Sequence, residues 1–274
     1  MKGLFNVKQS KLKQFNKRIV CSGNILEIYE YEKPVAKGFV AKKPGRGNSL
    51  YTSDEDKADN RAKIAQRAKT TVRRYANANP QLTKFLTLTF AENITDLEYA
   101  RYEFDKFVKR AKTRFPHFQY IEVVEFQKRG AIHFHVLCNL PYVNVNEFAS
   151  VWKNGFVKIN RIDNVDNVGA YITKYMTKDN VDARLIGKKC YTMSKGLNEP
   201  REYTNEADIE QVLEELENVK RIHIFEFQTE HFGVVQYTQI ICDTQISPPS
   251  KFRRFLERFK SRLFLLPDDT PTPF

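Results

Sequence analysis

The sequence predicts an α+β fold in which a central antiparallel sheet is flanked by helices. Between residues 80 and 180 the apolar pattern changes several times between a period of two, typical of strands, and a period near 3.6, typical of helices. The connections are short, and Lys128–Gly130 alone separates two of the strand patterns. Hairpins of this kind join antiparallel strands, whereas parallel strands need long crossovers.

Composition divides the chain into a basic N-terminal region (1–79), a central domain (80–200) and a C-terminal extension (201–274). Residues 1–79 hold 18 Lys+Arg against 7 Asp+Glu, and the rest of the chain is close to neutral. A basic segment beside a nearly neutral domain is typical of proteins that bind a phosphate backbone. A solubilising surface is the alternative interpretation.

The N-terminal region is expected to contain a strand and a long basic helix. Gly23–Tyr31 alternates apolar and polar residues as a strand does, and Lys42–Gly47 has the composition of a loop. Ser53 and the acidic residues after it predict a helix start, and the helix should stop before Pro80. Four basic residues of this helix are predicted DNA contacts, with a merely solvated helix face as the alternative: Arg61, Arg67, Arg73 and Arg74.

The central domain is expected to follow the order strand, helix, strand, strand, helix, strand, helix. The predicted elements are Phe85–Phe90, Asp96–Phe115, Tyr120–Gln127, Ala131–Asn139, Glu147–Trp152, Phe156–Arg161 and Asn164–Lys178. In the C-terminal extension, Glu206–Val219 is predicted as a helix and Ile222–Cys242 as two strands. Ser250–Leu265 is predicted as a basic amphipathic helix, followed by a disordered Pro-rich end.

Several features of the sequence narrow the class of protein. No run approaches 18 apolar residues and the N-terminus lacks an apolar signal segment, so a soluble, cytoplasmic protein is expected. The four cysteines are scattered and form no CxxC pair, which favours reduced thiols over a zinc site or disulfides.

Two histidines stand two residues apart in the second strand of the predicted hairpin, His133 and His135. Residues i and i+2 of a strand point to one face, so both imidazoles should lie on the same side of the sheet. A three-residue loop over Lys128–Gly130, with its glycine left-handed, places Glu125 directly opposite His133. A two-residue loop would place Phe126 there instead.

These positions predict a metal site made of two imidazoles and a carboxylate. Glu125 is the preferred third ligand and Glu122 the alternative. Such a set with open positions suits Mg²⁺ or Mn²⁺ at a phosphate better than a closed zinc site. Half-buried strand histidines without a metal would also explain the pair.

A second group of residues lies on the predicted helix over Asn164–Lys178. Tyr171, Lys174, Tyr175 and Lys178 fall at i, i+3, i+4 and i+7, which is one stripe of a helix. A separate apolar stripe can bury the helix without them: Val165, Val168, Ile172 and Met176. A tyrosine hydroxyl can attack a phosphodiester when nearby positive charge assists it, and the two lysines would supply that charge.

At these residues the chain resembles rolling-circle replication initiators of the HUH endonuclease superfamily, including replication-associated proteins of small phages and plasmids. Phe85–Phe90 resembles the first motif of that family, and Ala131–Val136 with Glu125 resembles its metal motif. Gly169–Lys178 resembles its catalytic-tyrosine motif, and the likeness covers roughly residues 80–200, including Tyr191–Leu197.

The resemblance implies a metal-dependent nick in single-stranded or hairpin DNA at a replication origin. It implies a 5′-phosphate linked to tyrosine, a free 3′-OH that primes synthesis, and a sheet similar to RNA-recognition folds. We expect Tyr175 to be the essential nucleophile and Tyr171 the second one, with Lys128 and Arg129 of the hairpin loop among the DNA contacts. The sequence leaves open which tyrosine attacks first, the native metal and the oligomeric state.

No G-x-x-x-x-G-K-[ST] motif occurs, so a host or replicon helicase and a DNA polymerase are expected as partners, and no membrane is. Two alternatives remain. A relaxase or single-strand transposase would use the same chemistry at other DNA sites. A non-catalytic origin-binding regulator would keep the sheet and the basic segment but need neither the metal nor the tyrosines.

Overall fold

The computed structural model describes residues 13–37, 54–162, 165–176, 183–185 and 188–246. Within these residues the fold is α+β, with two antiparallel sheets of five strands each and five α-helices, as the sequence predicts. The strands are β1 (Lys13–Ser22), β2 (Ile25–Lys37), β3 (Lys84–Phe90), β4 (Tyr120–Phe126), β5 (Ile132–Cys138), β6 (Gly155–Arg161), β7 (Tyr191–Met193), β8 (Arg201–Tyr203), β9 (Val219–Thr229) and β10 (Gly233–Cys242). The helices are α1 (Asp54–Ala78), α2 (Leu97–Arg114), α3 (Val145–Trp152), α4 (Val168–Thr173) and α5 (Glu206–Glu214), with a short 3-10 helix at Ala183–Leu185.

The central sheet has the strand order β6-β3-β5-β4-β7 and holds the predicted hairpin at its middle. One face packs on α2 and α3 through a core that includes Phe104, Phe134 and Trp152, all almost fully buried. The other face is covered at one end by α4 and the end of α1, around Phe85 and Ile172. The opposite end of that second face, where β5 begins, therefore carries the polar residues of the site.

A second sheet has the order β8-β1-β2-β10-β9, so strands from both ends of the described chain form it together. The predicted N-terminal region and C-terminal extension are thus joined in one sheet. The sequence pattern does not predict β1, because its basic residues obscure the apolar alternation of Phe15, Ile19 and Cys21. At the edge of this sheet nearly every residue of β9 is exposed.

Two helices are shorter than the sequence predicts. α4 ends at Thr173, and the next residues continue as a tight turn with bonds from Lys174 N to the Tyr171 oxygen (3.3 Å) and from Tyr175 N to the Ile172 oxygen (3.2 Å). The Thr173 hydroxyl donates to the Gly169 oxygen at 2.8 Å, a bond that competes with the helical ladder. The predicted end of the last helix at Val219 is also wrong.

The chain leaves α5 at Glu214 and turns at Asn218, whose φ is +54°. Three predicted features lie outside the described residues: the loop at Lys42–Gly47, the helix at Ser250–Leu265 and the Pro-rich end. In the part of the chain that is described, no helix combines the length and apolar character needed to cross a membrane.

The helix α1 connects the two sheets. Arg73 Nη2 and Arg74 Nε each lie 2.5 Å from a different oxygen of Glu27, which is 1% exposed on β2. At the C-terminal end of α1, Asn77 Oδ1 accepts from the Gly169 backbone N–H at 2.7 Å. The second sheet therefore holds α1, and α1 in turn holds the start of α4.

Candidate active site

The hairpin between β4 and β5 has the three-residue loop that the sequence predicts. Gln127 N donates to the Ala131 oxygen at 2.9 Å, Gly130 N donates to the Gln127 oxygen at 2.7 Å, and Gly130 has φ +87°. This closure places Glu125 directly opposite His133 in the strand register. The predicted register is confirmed, and with it the position of the carboxylate on the face that carries both histidines.

The second histidine is already engaged by its neighbours. His135 Nε2 lies 2.6 Å from Glu125 Oε2, and its Nδ1 lies 3.3 Å from the Thr87 hydroxyl. Because the carboxylate can only accept, Nε2 carries the proton and Nδ1 accepts from the hydroxyl. The ring is 3% exposed, so these contacts orient it firmly.

The first histidine has one nitrogen bonded and one free of hydrogen bonds. Gln127 Nε2 approaches His133 Nδ1 at 3.3 Å, while His133 Nε2 is buried without a hydrogen-bond partner among the described residues. Buried polar atoms are nearly always paired, so an unpaired one indicates a missing partner such as a ligand.

The alternative third ligand is excluded by its direction. Glu122 pairs with Val136 in the register and points to the opposite face of the sheet. There its carboxylate contacts Arg101 Nη1 at 2.5 Å and accepts from the Thr192 hydroxyl at 2.9 Å, and it is fully buried. Burial raises the pKa of Glu122, against the opposing effect of Arg101.

The tyrosines lie over the histidines. The Tyr175 ring stacks on the His135 ring with 3.8 Å between centroids and 26° between planes, and it also stacks on Phe85 at 5.2 Å. Tyr171 meets Tyr175 edge to face at 6.3 Å, and Lys174 Nζ lies 5.5 Å from the centre of the Tyr171 ring. Three of the four predicted Tyr/Lys residues are thus together, and the fourth, Lys178, lies outside the described residues.

The predicted separation of this group from the core is only partial. Ile172 and Met176 are buried as expected, but both tyrosines also pack against the same cluster at half-buried positions. Phe85 is the shared neighbour, because it contacts both tyrosine rings and the ring of His135. The tyrosines are therefore held by aromatic packing while their rings remain partly accessible.

The surroundings shift three pKa values at the site. The hydrogen bond from His135 lowers the pKa of Glu125, so its carboxylate is ionised at neutral pH. Burial lowers the pKa of His133, which favours the neutral imidazole. Burial and then the bond with Tyr171 raise the pKa of Tyr175, and Glu125 adds to this. The phenol consequently remains protonated until a positive charge is brought near it.

The residues present suit a divalent cation in their chemistry. A neutral imidazole with an unpaired Nε2, a second imidazole and an ionised carboxylate share one face of the sheet. Within the described ranges, however, no three His, Cys, Asp or Glu side chains are already grouped as a metal-binding cluster. The short bond between His135 and Glu125 accounts for this, since the two groups face each other and share a proton.

The predicted DNA contacts differ in their surroundings. Arg67 is exposed on α1 and Arg61 is half-buried; Lys128 and Arg129 are exposed in the hairpin loop. Arg73 and Arg74 lie in the ion pairs with Glu27 described above. For all six residues, contact with DNA stays a prediction.

Sequence reasoning missed the residues that position the histidines, namely Thr87, Gln127 and Phe85. Each has a signal in hindsight. Thr87 and Phe85 alternate along β3 on the face opposite the apolar core, and Gln127 ends the strand that carries Glu125. Their roles depend on pairing across strands, which the sequence of one strand does not display.

Comparison with known families matches the central part of the chain. Residues 83–180, a little over a third of the chain, match the family described as replication-associated protein ORF2/gene 2 protein. The matched range runs from β3 through the tyrosine turn and includes both histidines. No curated protein and no solved structure matched the chain. The family match supports a role as a replication initiator that interacts with DNA.

Proposed function

We propose that this chain is an HUH-type tyrosine endonuclease that initiates rolling-circle replication by nicking and rejoining single-stranded origin DNA. The observation that carries the proposal is the stacking of Tyr175 on His135, 3.8 Å between ring centroids. It brings the predicted nucleophile and a predicted metal ligand into contact. The two lie 40 residues apart in sequence, and packing against the core has no need of this particular pair.

Glu125, His133 and His135 would hold a Mg²⁺ or Mn²⁺ ion, which as a Lewis acid would polarise the scissile phosphate and lower the cost of its developing charge. The unpaired Nε2 of His133 and the ionised state of Glu125 support this assignment. Thr87 and Gln127 orient the two imidazoles through their Nδ1 atoms, as outer partners commonly do for ligating histidines.

Tyr175 would attack the phosphorus through Oη as its proton leaves. The bond from phosphorus to the 3′ oxygen breaks, and that oxygen takes a proton to give the free 3′-OH. The 5′-phosphate remains on the tyrosine as a phosphodiester, which conserves the bond for rejoining. Lys174 supplies positive charge beside the tyrosine pair, and Tyr171, in edge contact with Tyr175, is placed to carry out a second transfer.

The test is a cleavage assay on end-labelled single-stranded DNA from the parent replicon, with Mn²⁺ or with EDTA. The readout is a protein–DNA adduct that survives SDS, compared among wild type, Tyr171→Phe, Tyr175→Phe and His133→Ala. Tyr142→Phe serves as a control, because that tyrosine is 93% exposed and lies outside the site.

An adduct that requires metal and disappears in Tyr175→Phe and His133→Ala supports the proposal. Loss only in the double tyrosine variant makes the two hydroxyls interchangeable. If no origin fragment yields an adduct while tight binding persists, the protein is an origin-binding regulator. Cleavage at transposon ends or at a transfer origin instead would identify a transposase or a relaxase.

A further inference from the structure

The edge strand β6 places an aromatic ring and a lysine on the same face of the central sheet as the two histidines. In the register, Thr89 pairs with His133 on one side and Phe156 on the other. Thr87 likewise pairs with His135 and Lys158. Directly opposite residues of paired strands share a face, so two continuous rows cross the sheet from the histidines to β6.

The β6 ends of these rows are open. The Phe156 side chain is 72% exposed, and Lys158 is exposed beside it. The next residues along β6, Val157 and Ile159, point to the other face and pack against the α2–α3 core. Phe156 therefore contributes nothing to that core, although a phenylalanine on a strand is usually placed to bury itself.

We propose that Phe156 stacks on a base of single-stranded DNA and that Lys158 contacts the adjoining phosphate, so that β6 guides the strand across the sheet toward the tyrosines. The inference rests on the proposed function and deepens it by naming where the substrate's bases are held. Every base has a flat face that an aromatic ring can stack on, so this contact tolerates any sequence.

The spacing and the charge fit this occupant. β6 is two strands away from β5, and strands lie about 4.8 Å apart, so Phe156 is about 10 Å from His133 across the sheet. That distance matches one or two nucleotides of an extended strand, which places the stacked base next to the phosphate that Tyr175 would attack. Lys158 supplies a positive charge in the row of His135, where a phosphate backbone crossing the face would pass.

The test measures binding without nicking. All variants are made in a chain that also carries Tyr171→Phe and Tyr175→Phe, and binding is measured in EDTA by fluorescence anisotropy. The probes are a twelve-nucleotide oligothymidylate and an abasic oligonucleotide of equal length, which keeps the phosphates and lacks the bases. The variants are Phe156→Ala, Phe156→Trp and Lys158→Ala, with Tyr142→Ala as the matched exposed aromatic in the loop after β5.

Stacking on one base predicts that Phe156→Ala weakens oligothymidylate binding about tenfold and leaves abasic binding unchanged, with Phe156→Trp close to wild type. Lys158→Ala should weaken binding of both probes and lower the slope of log affinity against log salt by about one. Tyr142→Ala should change neither. Thermal melting confirms that the variants remain folded, as the exposure of Phe156 leads us to expect.

Three results would overturn the proposal: unchanged oligothymidylate binding in Phe156→Ala, an equal loss on both probes, or a loss as large in Tyr142→Ala. An unchanged salt slope in Lys158→Ala would remove the phosphate contact. Because no step of this experiment requires cleavage, a stacking effect without any adduct in the cleavage assay would refute the endonuclease and leave the binding site standing.

Discussion

Replacing Glu27 tests the connection between the second sheet and the tyrosines. Its carboxylate is 1% exposed, and it accepts from Arg73 and Arg74 at 2.5 Å and from the Tyr237 hydroxyl at 2.8 Å. The arginines lower the pKa of Glu27 in spite of its burial. Glu27→Ala would leave two guanidinium groups facing each other without a counter-charge.

The size of the effect follows from the burial of the three groups. Removing one partner of a buried ion pair costs about 3–5 kcal/mol. The arginine side chains are 28% and 17% exposed, so water solvates them in part and the lower end, about 3 kcal/mol, is expected. In a domain of this size that loss lowers Tm by roughly 6–12 °C. Glu27→Gln keeps the shape and some hydrogen bonds, and should cost less, about 2 kcal/mol.

The assay is thermal and urea unfolding of both variants between pH 3 and pH 7. Glu30→Gln on the same strand is the control, because its ion pair with Lys17 is about 40% exposed on both sides and should contribute no more than about 1 kcal/mol. The folded pKa of Glu27 is depressed, so its contribution is full above the unfolded value near 4.5 and is lost as the pH falls through the folded value. A Glu27→Ala stability equal to that of Glu30→Gln, or a deficit that does not shrink at acid pH, would refute the reasoning.

Three further predictions concern the site. Gly169→Ala should reduce adduct formation more than DNA binding, because its Cβ would lie 2.2 Å from the Arg73 carbonyl oxygen and push α4 off α1; equal losses in the two assays would contradict this. Thr87→Val should leave Tm nearly unchanged and lower Mn²⁺ affinity, measured by calorimetry, by about tenfold, since it removes the hydroxyl that orients His135; unchanged affinity would show that this hydroxyl is dispensable. His133 should titrate below pH 6.5 in NMR spectra of the metal-free protein, and its contribution to stability should be full above pH 6.5 and decline as the pH falls below it; a midpoint at or above 6.5 would exclude the burial effect.

The local part of the site can be predicted well from the sequence. The loop after Gln127 determines the hairpin register, so the order of residues alone places Glu125 opposite His133. The spacing of Tyr171 and Tyr175 likewise predicts that their rings are neighbours. In each case the information lies within a dozen residues of chain.

The parts that sequence reasoning misses depend on distant contacts. The stacking of Tyr175 on His135 joins the turn after α4 to β5, and no periodicity in either element encodes it. Arg73 is predicted to meet DNA because its partner Glu27 is 46 residues away and looks like an ordinary strand residue. The second sheet is missed for the same reason, since its strands come from the two ends of the described chain.

That second sheet has a consequence for how the protein is made. Glu27, which grips α1, lies opposite Gln239 of β10, so the anchor of α1 is flanked by a strand that leaves the ribosome late. The central sheet can form once residues up to about 200 have been synthesised, but the clamp that runs through α1 to the tyrosine turn is completed only when β10 is added. Synthesis therefore orders the molecule so that the strand-cutting end is set last, and a chain interrupted before residue 242 carries the histidines without firmly placed tyrosines.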